Sequence, residues 1–333
     1  MMSFDAERLL VNYKKTSGLP TSATQYEGWI TAENGGSGNT MGHYLSALTY
    51  LYAEEGDTEV GERLDYMLAE LVLCMDNYGK LHPSEKGYWG GVSSSVLTDL
   101  ENGGNPFVPY YVIEKNIWGA YNAYTILGNQ DAKALMYGLG EYTANRINSY
   151  SDEMLTRVLK REYGGIGTMM FMLYGLSGNK AYLTAAQKFL EPAVFDLIDR
   201  DEDPFAWKHA NTQIPKIYSA AWGYYVTGDQ HYLELAKKGF DYLTVGRTFA
   251  TGNISETEDL HPQHETDTGG FQSCETCCAY NLMRLSDMLY RLTGEKSYMD
   301  YYEKLFYNCI LASIDPETGM KTYYVSMDSG YYK

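Results

Sequence analysis

The chain has 333 residues, room for one large domain or two ordinary ones, and 44% of them are hydrophobic, enough for a sizeable core. Forty-three acidic residues against 26 basic ones give a net charge of −17. That sign excludes nucleic acid, whose phosphates it would repel, and disfavours an anionic membrane surface or a polyanionic glycan, while a neutral substrate is tolerated.

The N-terminal stretch MMSFDAERLLVNYKK reads as the start of an amphipathic helix, with neither a signal peptide nor a membrane span. A cytoplasmic protein, or one exported with its signal removed, is expected. After it one pattern recurs: an apolar helix, a tyrosine-rich turn, Gly followed by Asp, Asn or Glu, then a second amphipathic helix. It appears as HYLSALTYLYAEEGDTEVGERLDYML from His43 and NIWGAYNAYTILGNQDAKALMYGLGEY from Asn116. It returns as TMMFMLYGLSGNKAYLTAAQKFL from Thr168, YSAAWGYYVTGDQHYLELAKKGFDYL from Tyr218, and NLMRLSDMLYRLTGEKSYMDYYEKLFYNCIL from Asn281. Glycine ends each first helix in the left-handed conformation, and the residue after it caps the second.

Antiparallel helix pairs repeated at such spacing signal a helical array. Long Gly-rich insertions between pairs favour a closed toroid over an open solenoid, because they build a pocket at one mouth. The fold expected is therefore all-α, a closed barrel of antiparallel hairpins as a single domain over 1–333. The common closed form, (α/α)6, needs six hairpins; five are counted, and the sixth is either degenerate at the N-terminus or, as the last hairpin, missing. The connections that converge on the mouth include ENGGSGNTMGH from Glu33, VPYYVIEK ending in Lys115, REYGGIGT from Arg161, KHANTQIP from Lys208, and the stretch from Ala250 to Cys277. Loops carrying function on a rigid scaffold is the usual division of labour.

The last of these loops is the richest in chemistry. Thr251 to Cys278 holds Glu256, Glu258, Asp259, Glu265, Asp267 and Glu275, and it ends in Cys274, Glu275, Cys277 and Cys278. A carboxylate and thiolates so close together suit a soft divalent metal, zinc above all. They supply two or three local ligands, short of a closed site. Cys74 and Cys309, far apart inside apolar helical patterns, read as core residues. Glycoside cleavage needs one carboxylic acid to protonate the leaving oxygen and a second group to attack or to activate water. His209, Asn211 and Gln213 in KHANTQIP are of the kind that holds sugar hydroxyls, and the 33 tyrosines supply aromatic faces for sugar rings.

TGNISETEDL and CETC, with GHYLSAL, VPYYVIEK, EYGGIG, HANTQIP and YYEKLFYNCILASIDPETGM, resemble the β-L-arabinofuranosidase family, glycoside hydrolase family 127 and close relatives such as family 146. The resemblance runs from RLLVNYKKTSGLP to MKTYYVSMDSGYYK, nearly the whole chain. It implies a retaining exo-glycosidase on an (α/α)6 barrel followed by β-sandwich domains, with a zinc-bound cysteine as nucleophile. The expected activity is release of terminal β-L-arabinofuranosyl or a related neutral furanosyl residue from an oligosaccharide or glycan.

Residue by residue, the family's Gly-x-x-Ser-x-x-Glu motif falls on Gly252, Ser255 and Glu258, making Glu258 the acid/base. Its Glu-x-Cys zinc ligands fall on Glu275 and Cys277, with Cys274, Cys278 or His264 as stand-ins for further ligands. His43, Glu114, His209 and Asn211 are expected at the substrate, Glu114 standing where relatives often carry a histidine. The family's Cys-Cys pair, which supplies the nucleophile and the fourth zinc ligand, follows the MKTYYV segment. The sequence reaches Lys333 ahead of such a pair, so a C-terminally incomplete catalytic domain is expected. The alternative is a non-catalytic carbohydrate-binding barrel.

Overall fold

The computed structural model describes residues 1–27, 38–161, 163–265, 270–328 and 330. Glu33, Glu162, Asp267 and the final residues after position 330 lie outside the described residues. Contacts divide the chain into two compact units, Met1–Phe189 and Leu190–Lys333. No linker or composition shift marks the junction in the sequence.

The N-terminal unit starts with α1 (Ala6–Thr16), capped by Asp5, whose side chain accepts from the Arg8 amide. Three hairpins follow: α2 (Asn39–Glu55) with α3 (Thr58–Leu81), α5 (Pro109–Leu127) with α6 (Gln130–Asn148), and α8 (Ile166–Ser177) with α9 (Lys180–Lys188). Two short helices, α4 (Ser95–Glu101) and α7 (Asp152–Leu159), stand in the connections between them. The first helices pack side by side, α2 on α5 and α5 on α8, and the second helices do the same, α3 on α6 and α6 on α9. The α2–α5 crossing is close enough that a Cβ on Gly42 would lie 1.8 Å from the Lys115 carbonyl oxygen. Only glycine permits that approach. Around it Leu45, Leu48, Ile117 and Ala120 are fully buried.

A polar clamp fixes the connections of this unit. Arg146 of α6 grips both carboxylate oxygens of Glu101 in α4, at 2.5 and 2.9 Å, and Arg157 of α7 donates to the Glu101 carbonyl at 3.0 Å. Tyr150 adds a third donor to the same carboxylate at 2.5 Å. A forked guanidinium on a planar carboxylate orients as well as attracts, so three helices are held in register at one residue, Glu101.

The C-terminal unit contains α10 (Pro192–Asp199) and two hairpins, α11 (Ala210–Thr227) with α12 (Gln230–Thr244) and α13 (Thr276–Thr293) with α14 (Lys296–Leu305). The first helices, α11 and α13, pack on each other, and Ile214, Ile217, Leu282 and Leu285 on them are fully buried. The last helix runs into a π-helical turn, Phe306–Ile310, that buries Cys309. Cys74 in α3 is equally buried, so both isolated cysteines sit in packing positions.

The hairpin grammar is the expected one. At Gly228, φ is 73° and the amide donates to the Tyr224 carbonyl at 2.7 Å; Asp229 then caps α12 by accepting from the His231 amide. Asp57, Asn129 and Asn179 do the same for their hairpins. Glu295 differs: its side chain makes no capping bond, and the Thr293 hydroxyl accepts from its amide instead. Five hairpins are described, and α1 stands without a hairpin partner. Among the described residues only isolated β-bridges occur, and no helix is long and apolar enough to cross a membrane.

Candidate active site

The long connection between α12 and α13 is pulled into shape by Arg247, whose side chain is wholly buried. Its guanidinium donates to the carbonyls of His261 and Tyr242 and to the Asp203 carboxylate. A buried charge is tolerable only with such a full set of partners. Downstream, the backbone folds back on itself in a tight turn: the Asp259 amide donates to the Glu256 carbonyl at 2.9 Å, and the Glu256 amide to the Asp259 carbonyl at 3.1 Å. The two residues between them, Thr257 and Glu258, have φ of 49° and 69°. Paired left-handed residues define a type I′ turn, normally occupied by Asn and Gly. Placing Thr and Glu there costs backbone strain, which persists only where surrounding contacts impose it.

Those contacts are visible. The Glu258 carbonyl accepts from the Ala210 amide at 2.7 Å, and Leu260 exchanges backbone bonds with Trp207 and Lys208. The turn is thereby tied to the start of α11. His209, the N-cap of that helix, accepts from the Thr212 amide at Nδ1. This leaves the neutral ring with its proton on Nε2, which stands 3.5 Å from Glu258 Oε2. On the other side, Glu258 Oε1 accepts from the Tyr323 hydroxyl at 2.9 Å and the Tyr324 hydroxyl at 3.1 Å.

Glu275 occupies the N-cap of α13 without capping it. Its buried carboxylate turns instead to Tyr323, which donates to Oε1 at 2.8 Å, and to Cys278, whose thiol donates to Oε2 at 3.3 Å. The positive end of α13 favours a carboxylate there. Tyr323 and Tyr324 reach this place because their segment pairs with the loop: the Thr276 amide donates to the Tyr323 carbonyl and the Val325 amide to the Cys274 carbonyl. The half-buried Cys277 thiol lies within hydrogen-bonding reach of Glu275 and Tyr323, and burial, followed by the Glu275 charge, pushes its pKa up to about 12. Burial and the same carboxylate raise Tyr323 as well.

The structure thus brings together Glu258, His209, Glu275 and Cys277, with Tyr323 at their centre. Asn211, the second residue of α11, accepts from the Asn281 side-chain amide of α13 at 2.7 Å rather than bonding Glu258. Of the stand-in ligands, Cys278 touches Glu275, Cys274 bonds the Thr251 hydroxyl, and His264 packs against Gly246. His43 and Glu114 belong to the N-terminal unit. His43 is exposed, 3.4 Å from the Tyr111 hydroxyl; Glu114 is buried, 2.8 Å from the Lys115 ammonium and against Gly164 and Gly165. Glu256 serves the loop itself, binding the Gly270 amide and His261.

A carboxylate oxygen and a thiol side by side are donors that zinc accepts, and a cation there would offset the charge that raises Cys277. In donor type Glu275 and Cys277 fit the metal. Among the described residues, no three His, Cys, Asp or Glu side chains close into a metal-binding group.

Helical hairpins thus carry a carboxylate, a histidine and a thiol at the starts of the first helices, α11 and α13. The chain belongs to the β-L-arabinofuranosidase GH127 catalytic-domain family, whose profile matches residues 1–333. A GH127 β-L-arabinofuranosidase from Geobacillus stearothermophilus T6 is similar in structure with a TM-score of 0.71 at 15% identity, over 98% of this chain and 53% of that one. A second GH127 β-arabinofuranosidase gives 0.71 at 18% identity, over 96% and 51%. A D-mannose isomerase gives 0.55 at 14% identity, over 98% and 92%. These likenesses show the fold, an (α/α) barrel. The chain spans about half the length of the two GH127 structures. No curated protein matches the sequence.

Proposed function

We propose that the protein containing this chain is a retaining exo-glycoside hydrolase that releases terminal β-L-arabinofuranosyl, or a related neutral furanosyl residue, from an oligosaccharide or glycan. Glu258 is the acid/base of this reading. The observation that carries it is the placement of Glu258 at the tip of a strained left-handed turn, its carboxylate held by Tyr323 and Tyr324 and faced by His209. A third of the Glu258 side chain remains exposed, so the carboxyl is open to a leaving oxygen. The Tyr323 hydroxyl lies against both carboxylates, so one phenol orients Glu258 and Glu275 together.

His209 and Asn211 in the C-terminal unit, with His43 and Glu114 in the N-terminal one, are assigned to sugar hydroxyls. Glu275 and Cys277 are assigned to zinc, which when bound would supply the positive charge that keeps a thiolate deprotonated at neutral pH. The test is Glu258→Gln in the whole protein, with aryl and alkyl arabinofuranosides. Turnover of the poor alkyl leaving group should fall about 10²–10⁴-fold, and that of an activated aryl group far less. Equal losses on both would remove Glu258 from the role. Oligosaccharide binding without turnover by the unaltered protein would restore the non-catalytic reading.

A further inference from the structure

The N-terminal unit carries a cavity that none of the candidate site residues lines. It is a trough of about 510 Å³ between α3 and α6, of a size that holds a small ligand. Its construction depends on one contact. Gly87, with φ of 90°, lies so close to Gly138 of α6 that a Cβ on it would sit 2.5 Å from the Gly138 carbonyl oxygen. This backbone approach brings the Pro83–Gly87 segment against α6 and leaves a bare floor. A Cβ on Gly138 would in turn meet the Met75 sulfur at 2.6 Å, so the floor is flanked by an apolar thioether.

The walls are unlike the floor. Asp76 and Lys80 of α3, Lys86 of the connection, and Glu141 and Asn145 of α6 all line the trough. Some acidic and basic side chains of this unit are paired, as in Arg146 with Glu101 and Lys14 with Glu7 and Glu70. These five side chains make no hydrogen bond or ion pair with any described residue. Two carboxylates, two ammonium groups and a carboxamide thus stand exposed around one apolar floor, where a ligand can exchange with their water. The charges balance, so an anion would meet Asp76 and Glu141, and a cation Lys80 and Lys86. A hydroxyl both donates and accepts, and so suits either kind of wall. The C–H face of a sugar ring suits the glycine and methionine floor.

We propose that this trough is a second binding site, taking a neutral oligosaccharide independently of the Glu258 site. The probe is α-1,5-arabinotriose, followed through the backbone amide signals of Gly79, Gly87 and Gly138 in the isotope-labelled protein. Saturable shifts at these glycines are expected, and they should persist in Glu258→Gln. The exposed Asn145→Trp change should fill the trough and abolish them. Glu141→Ala with Lys86→Ala should weaken binding about tenfold or more without lowering the thermal midpoint, since neither side chain has a partner to lose. Silence of all three glycines, or unaltered binding in Asn145→Trp, overturns the site. A response to diglycine in place of the trisaccharide overturns the ligand class in favour of a zwitterion.

Discussion

Glu258 and Glu275 are joined through a single phenol: the Tyr323 hydroxyl lies 2.9 Å from Oε1 of the first and 2.8 Å from Oε1 of the second. The residue assigned to proton transfer and the residue assigned to the metal are thereby oriented by one group. Tyr323→Phe should lower zinc affinity about tenfold to a hundredfold, as loss of a partner behind a metal ligand does. It should lower turnover with little change in KM. Calorimetric zinc titration and steady-state kinetics read the two effects. Loss of one without the other would break the proposed link between them.

The Tyr324 backbone bridges to Glu275, but its hydroxyl bonds the Glu258 carboxylate and not that of Glu275. Tyr324→Phe is expected to reduce turnover, most with poor leaving groups, while zinc affinity stays at the unaltered level. A fall in zinc affinity equal to that in Tyr323→Phe would show that both tyrosines act through general packing.

Arg247 is the buried tie of the loop that carries Glu258. Arg247→Ala strands the Asp203 carboxylate and two carbonyls, and breaking a buried pair in this way costs about 3–5 kcal/mol, here discounted toward the lower figure because Asp203 is partly exposed. Urea unfolding should show the loss in the midpoint, and hydrogen exchange should show early opening of 245–265. An unchanged midpoint would mean the loop is held by its backbone pairing alone.

The Glu7 carboxylate lies against the Lys14 ammonium at 2.8 Å and accepts from Tyr66; Lys14 and then Tyr66 hold its pKa below the ordinary glutamate value. A folded-state pKa below the unfolded one, about 4.3, gives a contribution present above that value and lost as pH falls through the folded pKa. The thermal midpoint of Glu7→Gln should therefore trail the unaltered protein at neutral pH, and the gap should close as the pH falls below the ordinary glutamate range. A gap that stays constant from neutral to acid would mean the carboxylate charge contributes nothing there.

Cys277 is half-buried, whereas Cys74, Cys274, Cys278 and Cys309 are fully buried. Alkylation of the native protein, followed by mass spectrometry, should label Cys277 first, and zinc should slow that labelling while leaving the other four unaffected. Equal labelling of Cys277 with and without zinc would argue against its assignment to the metal.

The hairpins were legible because their signals are local. A helix period, a left-handed glycine and an Asp or Asn cap all lie within a few residues, as Gly228 and Asp229 show. Glu258, Glu275 and Cys277 were singled out through the family resemblance, and the turn geometry adds why Glu258 projects as it does. Tyr323 and Arg247 were not. Tyr323 stands 65 positions from Glu258, and nothing separates it from the other 32 tyrosines until bridging to Glu275 brings its segment over the loop. Arg247 reads as an ordinary surface arginine, because its partners are backbone carbonyls that carry no side-chain signature.

At Gly56, Gly128, Gly178, Gly228 and Gly294 an added Cβ would meet nothing within 4 Å, although φ stays between 66° and 74° at all five. What each joint demands of the sequence is a handedness, with no shape to match. Such joints are interchangeable parts, and they can be swapped, or replaced by a D-alanine of the same hand, without a compensating change elsewhere. The opposite ends of the hairpins have no such freedom, since side chains such as Glu258 and Arg247 are fitted there to particular neighbours. One end of each hairpin can therefore drift almost without consequence while new specificity is tried at the other.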